Sequence, residues 1–373
     1  MDSAIGNVSA CITQCKGLHF GLPRRYLGIV AYGESLEKFQ PPTLEDVARQ
    51  AAVSTATVSR CLSRPGTVKQ ATRERVMQVV GELGYTPNFG AQAMAARRTN
   101  TIGAVIPTMD NAIFAKGLQA FQEEISRRGA SLLVASSSYR KDLEDKQIRS
   151  LIARGVDALL LIGDDRDEEI YEYLAKRHIP YVLAWNHRKA ALHTYVGFDN
   201  FRAAYAMAEC VMEYGHREIA MIAGITDGND RAFDRLSGVR KALSDHGLAD
   251  ADVTVVECVY SIDAAGDTFE SILGADRRPT AVICGNDVLA VGAILRAKSM
   301  GIRVPQDISV TGFDDIELAT VVDPGVTTVH VPHRRMGKTA ATVLFSALKN
   351  RRPRSRKLET RIVERQSLAP PPQ

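Results

Sequence analysis

The chain has 373 residues, of which 45% are hydrophobic and 24% charged, with a formal net charge of +4. That length allows two or three domains and a sizeable core, and the balance is that of an ordinary globular protein, not a disordered or fibrous one. No window approaches eighteen uninterrupted apolar residues, so no transmembrane helix is expected. The first residues lack the basic region of a secretory signal, so a cytoplasmic location is expected.

Residues 1–42 show no periodic pattern and are expected to be a flexible leader. The cysteines at 11, 15, 61, 210, 258 and 284 are scattered and are expected as reduced thiols. Cys11 and Cys15 resemble half of a metal site, but no matching His/Cys cluster follows, so neither a metal nor a cofactor is expected. From Thr43 the pattern changes. Leu44, Val47 and Ala48 lie at helical spacing, and Ala51-Ala52-Val53 makes a turn with Val53 inward. Ser54 is placed to cap a second helix by accepting a backbone N–H. Val58 and Leu62 share the inner face of that helix. Thr55, Ala56, Thr57, Ser59 and Arg60 are left outside, the composition a helix needs to read base edges in a major groove. A third helix is predicted over Thr72–Leu83, with Val76, Val79, Val80 and Leu83 inward. Gly84 stops it and Pro87 keeps it stopped. Lys69 stands where a cap is usual. From Thr43 to Asn100 eight Lys/Arg face four Asp/Glu, a local excess that suits phosphate contact.

Tyr85–Thr99 is alanine-rich and flanked by basic residues. A helix this short is marginal alone. It could fold when docked in a minor groove, with Met94 as an apolar wedge, or serve only as a linker. The order Thr-Leu-x-Asp-Val-Ala, Val-Ser-x-x-Thr-Val-Ser-Arg, Thr-Arg-Glu-x-Val, Leu-Gly-Tyr-x-Pro-Asn, Ala-x-x-Met-Ala and Ile-Gly-Ala-Val-Ile-Pro resembles the lactose-repressor/galactose-repressor (LacI/GalR) family of bacterial transcription regulators, from about Thr43 to about Ser367. The resemblance implies a helix-turn-helix headpiece over 43–87, a hinge over 88–100, and an effector-binding and dimerisation domain over 101–367. It implies DNA contacts from Ser54, Thr55, Ala56, Thr57, Ser59 and Arg60, joined by Asn88, Ala91 and Met94 of the hinge. Met94 departs from the leucine usual there.

Beyond the hinge, strand runs alternate with helices: Ile102–Pro107, Ser131–Ala135, Ala158–Ile162 and Tyr181–Ala184, then Ile219–Ala223, Val253–Glu257, Ala281–Cys284 and Ile308–Thr311. Helices are predicted at Ala115–Arg128, Lys146–Ala153, Arg235–Asp245 and Asp287–Ser299. This rhythm argues for parallel sheets with right-handed crossovers, and two sheets in tandem make two lobes. The fold class expected is an all-α headpiece plus an α/β two-lobed domain like the periplasmic binding proteins. Lys349–Lys357 is read as a solvated basic loop before a last strand.

Ligands of parallel sheets sit beyond the carboxyl ends of the strands. The candidates there are Phe114, Trp185, Arg231, Arg235, Tyr260, Asn286 and Asp314. By resemblance Arg235, Asn286 and Asp314 match effector-holding positions. Arginine offers a rigid donor fork, aspartate accepts two hydroxyls and aromatic faces stack on a sugar ring. Trp185 also fits a core position, and Asp287 or Asp315 fits a helix cap. Trp185 replaces a commonly acidic residue and Arg231 a small one, which points the ligand toward a sugar acid. The reading is a DNA-binding repressor whose operator affinity a small metabolite controls, acting as a homodimer or tetramer on double-stranded DNA. Its alternatives are a transport-type sugar-binding protein and a corepressor-dependent regulator of a non-sugar pathway. An enzyme is disfavoured: the chain has no Gly-x-Gly-x-x-Gly after a strand, P-loop, His-Glu-x-x-His or Gly-x-Ser-x-Gly.

Overall fold

The computed structural model describes residues 41–86, 98–110, 112–189, 192–248, 253–275, 277–349 and 351–372. The chain divides into two compact units, Met1–Pro87 and Asn88–Gln373.

In the first unit, α1 (Leu44–Gln50) opens with a capping box: the Asp46 N–H donates to Thr43 Oγ1 at 3.2 Å, and the Thr43 N–H donates to Asp46 Oδ2 at 2.9 Å. Such reciprocal bonds satisfy N–H groups that a helix leaves free. Ala52 turns the chain at φ +50°. Ser54 then caps α2 (Thr55–Ser63), its Oγ accepting from the Thr57 N–H at 3.2 Å. Helix α3 (Gln70–Leu83) ends at Gly84, whose φ of +63° closes the last turn. Lys69 precedes α3 without a side-chain capping bond, and nothing in the structure explains it. Val47, Ala48, Ala51, Val58, Cys61, Val76 and Val79 form the core, with Leu44, Val53, Leu62, Val80 and Leu83 partly buried against it. Cys61 thus takes the inner position that the sequence reading gave to Leu62, and Leu62 sits at the edge.

The second unit runs β1 (Thr101–Ile106), α4 (Ala112–Ser126), β2 (Ser131–Ser136), α5 (Lys141–Ala153), β3 (Ala158–Ile162), α6 (Glu168–Lys176), β4 (Tyr181–Ala184) and β5 (Tyr195–Gly197). It continues with α7 (Asn200–Glu213), β6 (Ile219–Gly224), α8 (Asp230–Asp245), β7 (Thr254–Cys258), α9 (Ile262–Leu273), β8 (Ala281–Cys284), α10 (Asp287–Ser299), β9 (Ser309–Thr311), α11 (Leu318–Val321) and β10 (Thr328–His330). Then come α12 (His333–Leu348), β11 (Arg356–Lys357) and β12 (Arg361–Val363). Lobe 1 holds the sheet β11-β5-β4-β3-β1-β2 and lobe 2 the sheet β7-β6-β8-β9, every pairing parallel; β10 and β12 pair antiparallel. Helix α12 packs on α4 in lobe 1, and α7 packs on α8 in lobe 2. The chain therefore crosses between lobes three times: after β5, after β10 and after β11.

Strands buried on both faces read as continuous apolar runs. In β3, Ala158, Leu160 and Ile162 enter one core cluster while Leu159 and Leu161 enter another, the period-two alternation of a strand. Three helices of this unit begin earlier than their apolar periodicity suggested, α5 opening at Lys141 instead of Lys146. Phe114 lies in the first turn of α4, not in a strand-end loop. Arg231 lies inside α8, because Asn229 caps that helix by accepting from the Ala232 N–H at 3.4 Å. The end of the predicted basic loop is also strand: Arg356 and Lys357 pair with β5.

Helices α4 and α12 meet at glycines. A Cβ on Gly337 would stand 1.9 Å from the Gly117 carbonyl oxygen, and one on Gly117 would stand 2.5 Å from the Trp185 ring. Gly337→Ala is therefore expected to destabilise the second unit by about 1–3 kcal/mol, the usual cost of overpacking, measured by urea unfolding, with headpiece helicity unchanged.

Candidate effector cleft and nucleic-acid interface

On α2, Ser54, Thr55, Ala56, Ser59 and Arg60 are exposed and Thr57 is half-buried. The Ser54 and Thr57 hydroxyls lie 2.9 Å apart, and Arg60 Nε donates to the Ala56 carbonyl at 3.1 Å. That bond holds the arginine stem along the helix and leaves the fork ends to project. Asn88, Ala91 and Met94, the predicted hinge contacts, lie outside the described residues.

In the second unit, the strand ends of both lobes open onto one cleft. Arg235 of α8 is one of its buried cations. It donates to Asn200 Oδ1 at 2.9 Å and to the Gly285 carbonyl at 2.7 Å, and its Nη2 lies 3.5 Å from Asp314 Oδ1. Its guanidinium also sits 3.9 Å from the Phe313 ring centroid. Asp314, beyond β9, is fully buried at φ +104°. Burial pushes its carboxyl up to about 6, with Arg235 pulling the other way. His333 donates from Nε2 to the Asp314 carbonyl at 3.2 Å, and burial lowers its ring to about 4, so the ring is neutral near pH 7.

Asn286 caps α10: its Oδ1 accepts from the Leu289 N–H at 2.9 Å. Asp287 makes no cap. It accepts from the Thr328 hydroxyl at 2.5 Å and from the Ile316 N–H at 2.8 Å, and burial pushes it up to about 8. Asp315 turns away from Asp314 to Arg365 and His330, at 2.6 and 2.7 Å, so the adjacent pair shares no site. Trp185 adopts φ +63° and is 1% exposed. It packs on Phe114, ring centroids 5.5 Å apart, and its carbonyl accepts from Asn200 Nδ2 at 3.0 Å. The ring therefore takes the core position that the sequence also allowed. Tyr260 faces Tyr139 of lobe 1 at 5.9 Å, and burial raises both phenols.

The decisive observation is polar. Trp185 Nε1, Asn286 Nδ2, Asp314 Oδ2 and His333 Nδ1 are all buried without a hydrogen-bond partner. Buried polar atoms are nearly always paired. Two donors and two acceptors left open around one cleft are what a hydrogen-bonding ligand needs.

Several cleft residues escaped the sequence reading: Tyr139, Asp164, Arg188, Asp230, Asp234 and His333. Arg231 pairs with Asp230, and Asn186 Nδ2 donates to Asp230 Oδ2 at 2.6 Å. A narrow recess between lobes is lined by Tyr139, Lys141, Glu144 and Asp165 on one side and Gly228, Asp230 and Arg231 on the other. Among the described residues no group of His, Cys, Asp and Glu is arranged to hold a metal ion, and no helix is long and apolar enough to cross a membrane.

Residues 43–88 match the bacterial regulatory proteins of the lacI family, and residues 208–368 match a periplasmic binding protein-like domain. The HTH-type transcriptional repressor PurR of Salmonella arizonae is 32% identical over 334 residues, covering 88% of this chain and 98% of that protein. The chain belongs to the LacI family. Among solved structures, a LacI-family regulator from Silicibacter pomeroyi superposes with TM-score 0.81 at 25% identity, covering 88% of this chain and 100% of the other. The lac repressor dimer bound to operator and the anti-inducer ONPF gives 0.80 at 26%, with the same coverage. A CelR–cellobiose complex gives 0.65 at 29%, covering 87% of this chain and 99% of the other. The protein is a DNA-binding transcriptional regulator with a two-lobed α/β domain of the periplasmic-binding type.

The raised Asp314 carboxyl makes a pH prediction for this LacI-family fold. Because the fold favours the protonated form, this group's stability contribution is complete below about pH 4 and is lost as pH rises through about 6. Urea unfolding at pH 4.5 and 7.5 should show the wild type losing about 2 kcal/mol relative to Asp314→Asn across that window.

Proposed function

We propose that this regulator is a cytoplasmic repressor, homodimeric on a near-palindromic operator, whose DNA affinity is set by a small hydroxylated metabolite in the interlobe cleft. The headpiece over 43–87 reads the operator through Ser54, Thr55, Ala56, Thr57, Ser59 and Arg60. The hinge over 88–100 adds Asn88, Ala91 and the Met94 wedge, and 101–367 senses the effector. The reading assigns no catalytic step, cofactor or metal.

The unpartnered buried atoms of Trp185, Asn286, Asp314 and His333 carry this reading. Arg235, Arg231, Phe114 and Tyr260 complete the pocket. The charge balance favours a neutral ligand. Arg231 is paired with Asp230, Arg235 with Asp314, and Arg188 with Asp164 and Asp234. The sugar-acid expectation from Arg231 is weakened, since among the described residues each of these three arginines already faces a carboxylate. A neutral sugar would take the open donors and acceptors without disturbing these pairs.

Calorimetry against neutral sugars, sugar acids and nucleobases tests the ligand class; a sugar acid or nucleobase as the tightest binder overturns the neutral-sugar assignment. For the effector so found, Asp314→Ala and Arg235→Ala should each weaken binding at least about tenfold, since a hydrogen bond to a charged group is worth roughly 1.5–3 kcal/mol. Operator affinity without effector should stay near wild type.

On DNA, Arg60→Ala should lose about 1–3 kcal/mol of discrimination between operator and random sequence, the worth of a bidentate base contact. Electrophoretic mobility shifts with competitor DNA give that ratio. Met94→Gly should reduce both specific affinity and operator bending, leaving the sensor's unfolding midpoint unchanged.

A further inference from the structure

Arg188, in the loop after β4, reaches from lobe 1 to lobe 2. Its Nε donates to Asp164 Oδ2 at 2.9 Å and its Nη2 to Asp164 Oδ1 at 3.3 Å, within lobe 1. Its Nη1 lies 2.8 Å from Asp234 Oδ2, on α8 of lobe 2. Asp164 is held in place by the Tyr195 hydroxyl, which donates to Oδ2 at 2.8 Å. Beside it, the Asp164 N–H crosses the cleft to Asp230 Oδ2 at 2.8 Å, and the Asn186 amide donates to the same oxygen at 2.6 Å. Donors from lobe 1 therefore converge on two carboxylates one turn apart on a single helix.

That turn also carries the cleft arginines. The run Asp230-Arg231-Ala232-Phe233-Asp234-Arg235 places Asp230 and Asp234 four residues apart, and Arg231 and Arg235 likewise, so the pairs occupy neighbouring stripes of α8. Gly163 brings lobe 1 against this turn. At φ +71°, a Cβ there would stand 1.9 Å from Arg231 Nη1 and 2.3 Å from Asp230 Oδ1.

We propose that Arg188 is a positioning residue: by joining Asp164 to Asp234 it clasps the two lobes together and fixes the helix turn that presents Arg231 and Arg235 to the cleft. Without it, Asp164 and Asp234, with side chains 15% and 11% exposed, face each other across the cleft with no cation between them. Like charges at that depth repel and favour separation of the lobes. The effector reading matters here only for the consequence on ligand affinity; the clasp can be tested with no effector at all.

The test is amide hydrogen exchange on the full-length protein. The Asp164 N–H bonds across the cleft and reports lobe separation directly, while the amides of β6 report the integrity of lobe 2. Arg188→Gln and Asp234→Asn should each lower the protection of the Asp164 amide at least tenfold, with β6 unchanged, and Arg188→Lys should fall between Gln and wild type. Acrylamide quenching of Trp185, the chain's single tryptophan, should rise in the same order. Unchanged Asp164 protection, or loss in step with β6, overturns the clasp. Lost protection with unchanged Trp185 quenching overturns its role in shaping the cleft. Should a variant fail to fold, the wild type decides the matter. The half-exposed Arg188 is open to screening, so Asp164 protection should fall between about 0.05 M and about 1 M KCl, over which the screening length shortens roughly fourfold, and constancy across that range overturns the proposal. A failed effector assignment would leave these exchange results as they stand.

Discussion

The second unit depends on how one buried cation is satisfied. The Arg235 guanidinium lies out of water, where an unpaired charge would cost several kcal/mol. Its partners come from separated parts of the chain: Asn200 from the first crossing between lobes, the Gly285 carbonyl from the end of β8, and Asp314 from the end of β9. Satisfying Arg235 therefore brings two strand ends and a crossing segment to one place. Asn200 passes the constraint on, because its amide donates to the Trp185 carbonyl at the end of β4. The floor of the cleft is in this sense a set of hydrogen bonds that branch from one arginine. The atoms it leaves open, on Trp185, Asn286, Asp314 and His333, are those a ligand would use.

The headpiece solves a different problem. Its core is a handful of small side chains from three helices, so it has little apolar area with which to resist deformation. Caps do part of the work: the Thr43–Asp46 box and the Ser54 hydroxyl satisfy helix ends that packing cannot reach. The same Ser54 cap orients the first turn of α2, which offers Thr55 and Ala56 outward. Arg60 is held along the helix by its bond to the Ala56 carbonyl, which reduces the freedom it would lose on meeting a base.

What the sequence makes legible follows from the range of the interactions. Period-two and period-3.6 patterns are local, so β3, β4, β8 and α10 match their predicted limits, and Ser54 and Gly84 cap as their residue types suggest. The short strands β5, β10 and β11 were not legible, because two or three residues carry no period, and the expected last strand, β12, was legible without its partner β10. The same holds at the cleft. Arg235 and Asp314 stand at motif positions, and the structure brings them together. Asp164, Arg188, Asp230 and Asp234 look like solvated charges when read along the chain; only the meeting of the lobes makes them partners. His333 escaped because a histidine opening a helix after a proline has no local reason to be buried.

The threefold crossing between lobes has a consequence for synthesis. Helix α12 and strand β11, which cover and extend the lobe 1 sheet, come from residues near the end of the chain, and Met336, Ala340 and Leu344 lie in the same core cluster as Ile102 and Leu160. A nascent chain on the ribosome can complete the headpiece from neighbouring residues, but lobe 1 then waits with one apolar face uncovered until lobe 2 has been made. Over that interval the strands β1 to β4 are exposed to wrong pairing. The protein's yield in the cell should accordingly hinge on the speed of translation through lobe 2 and on chaperones that shield a half-built sheet.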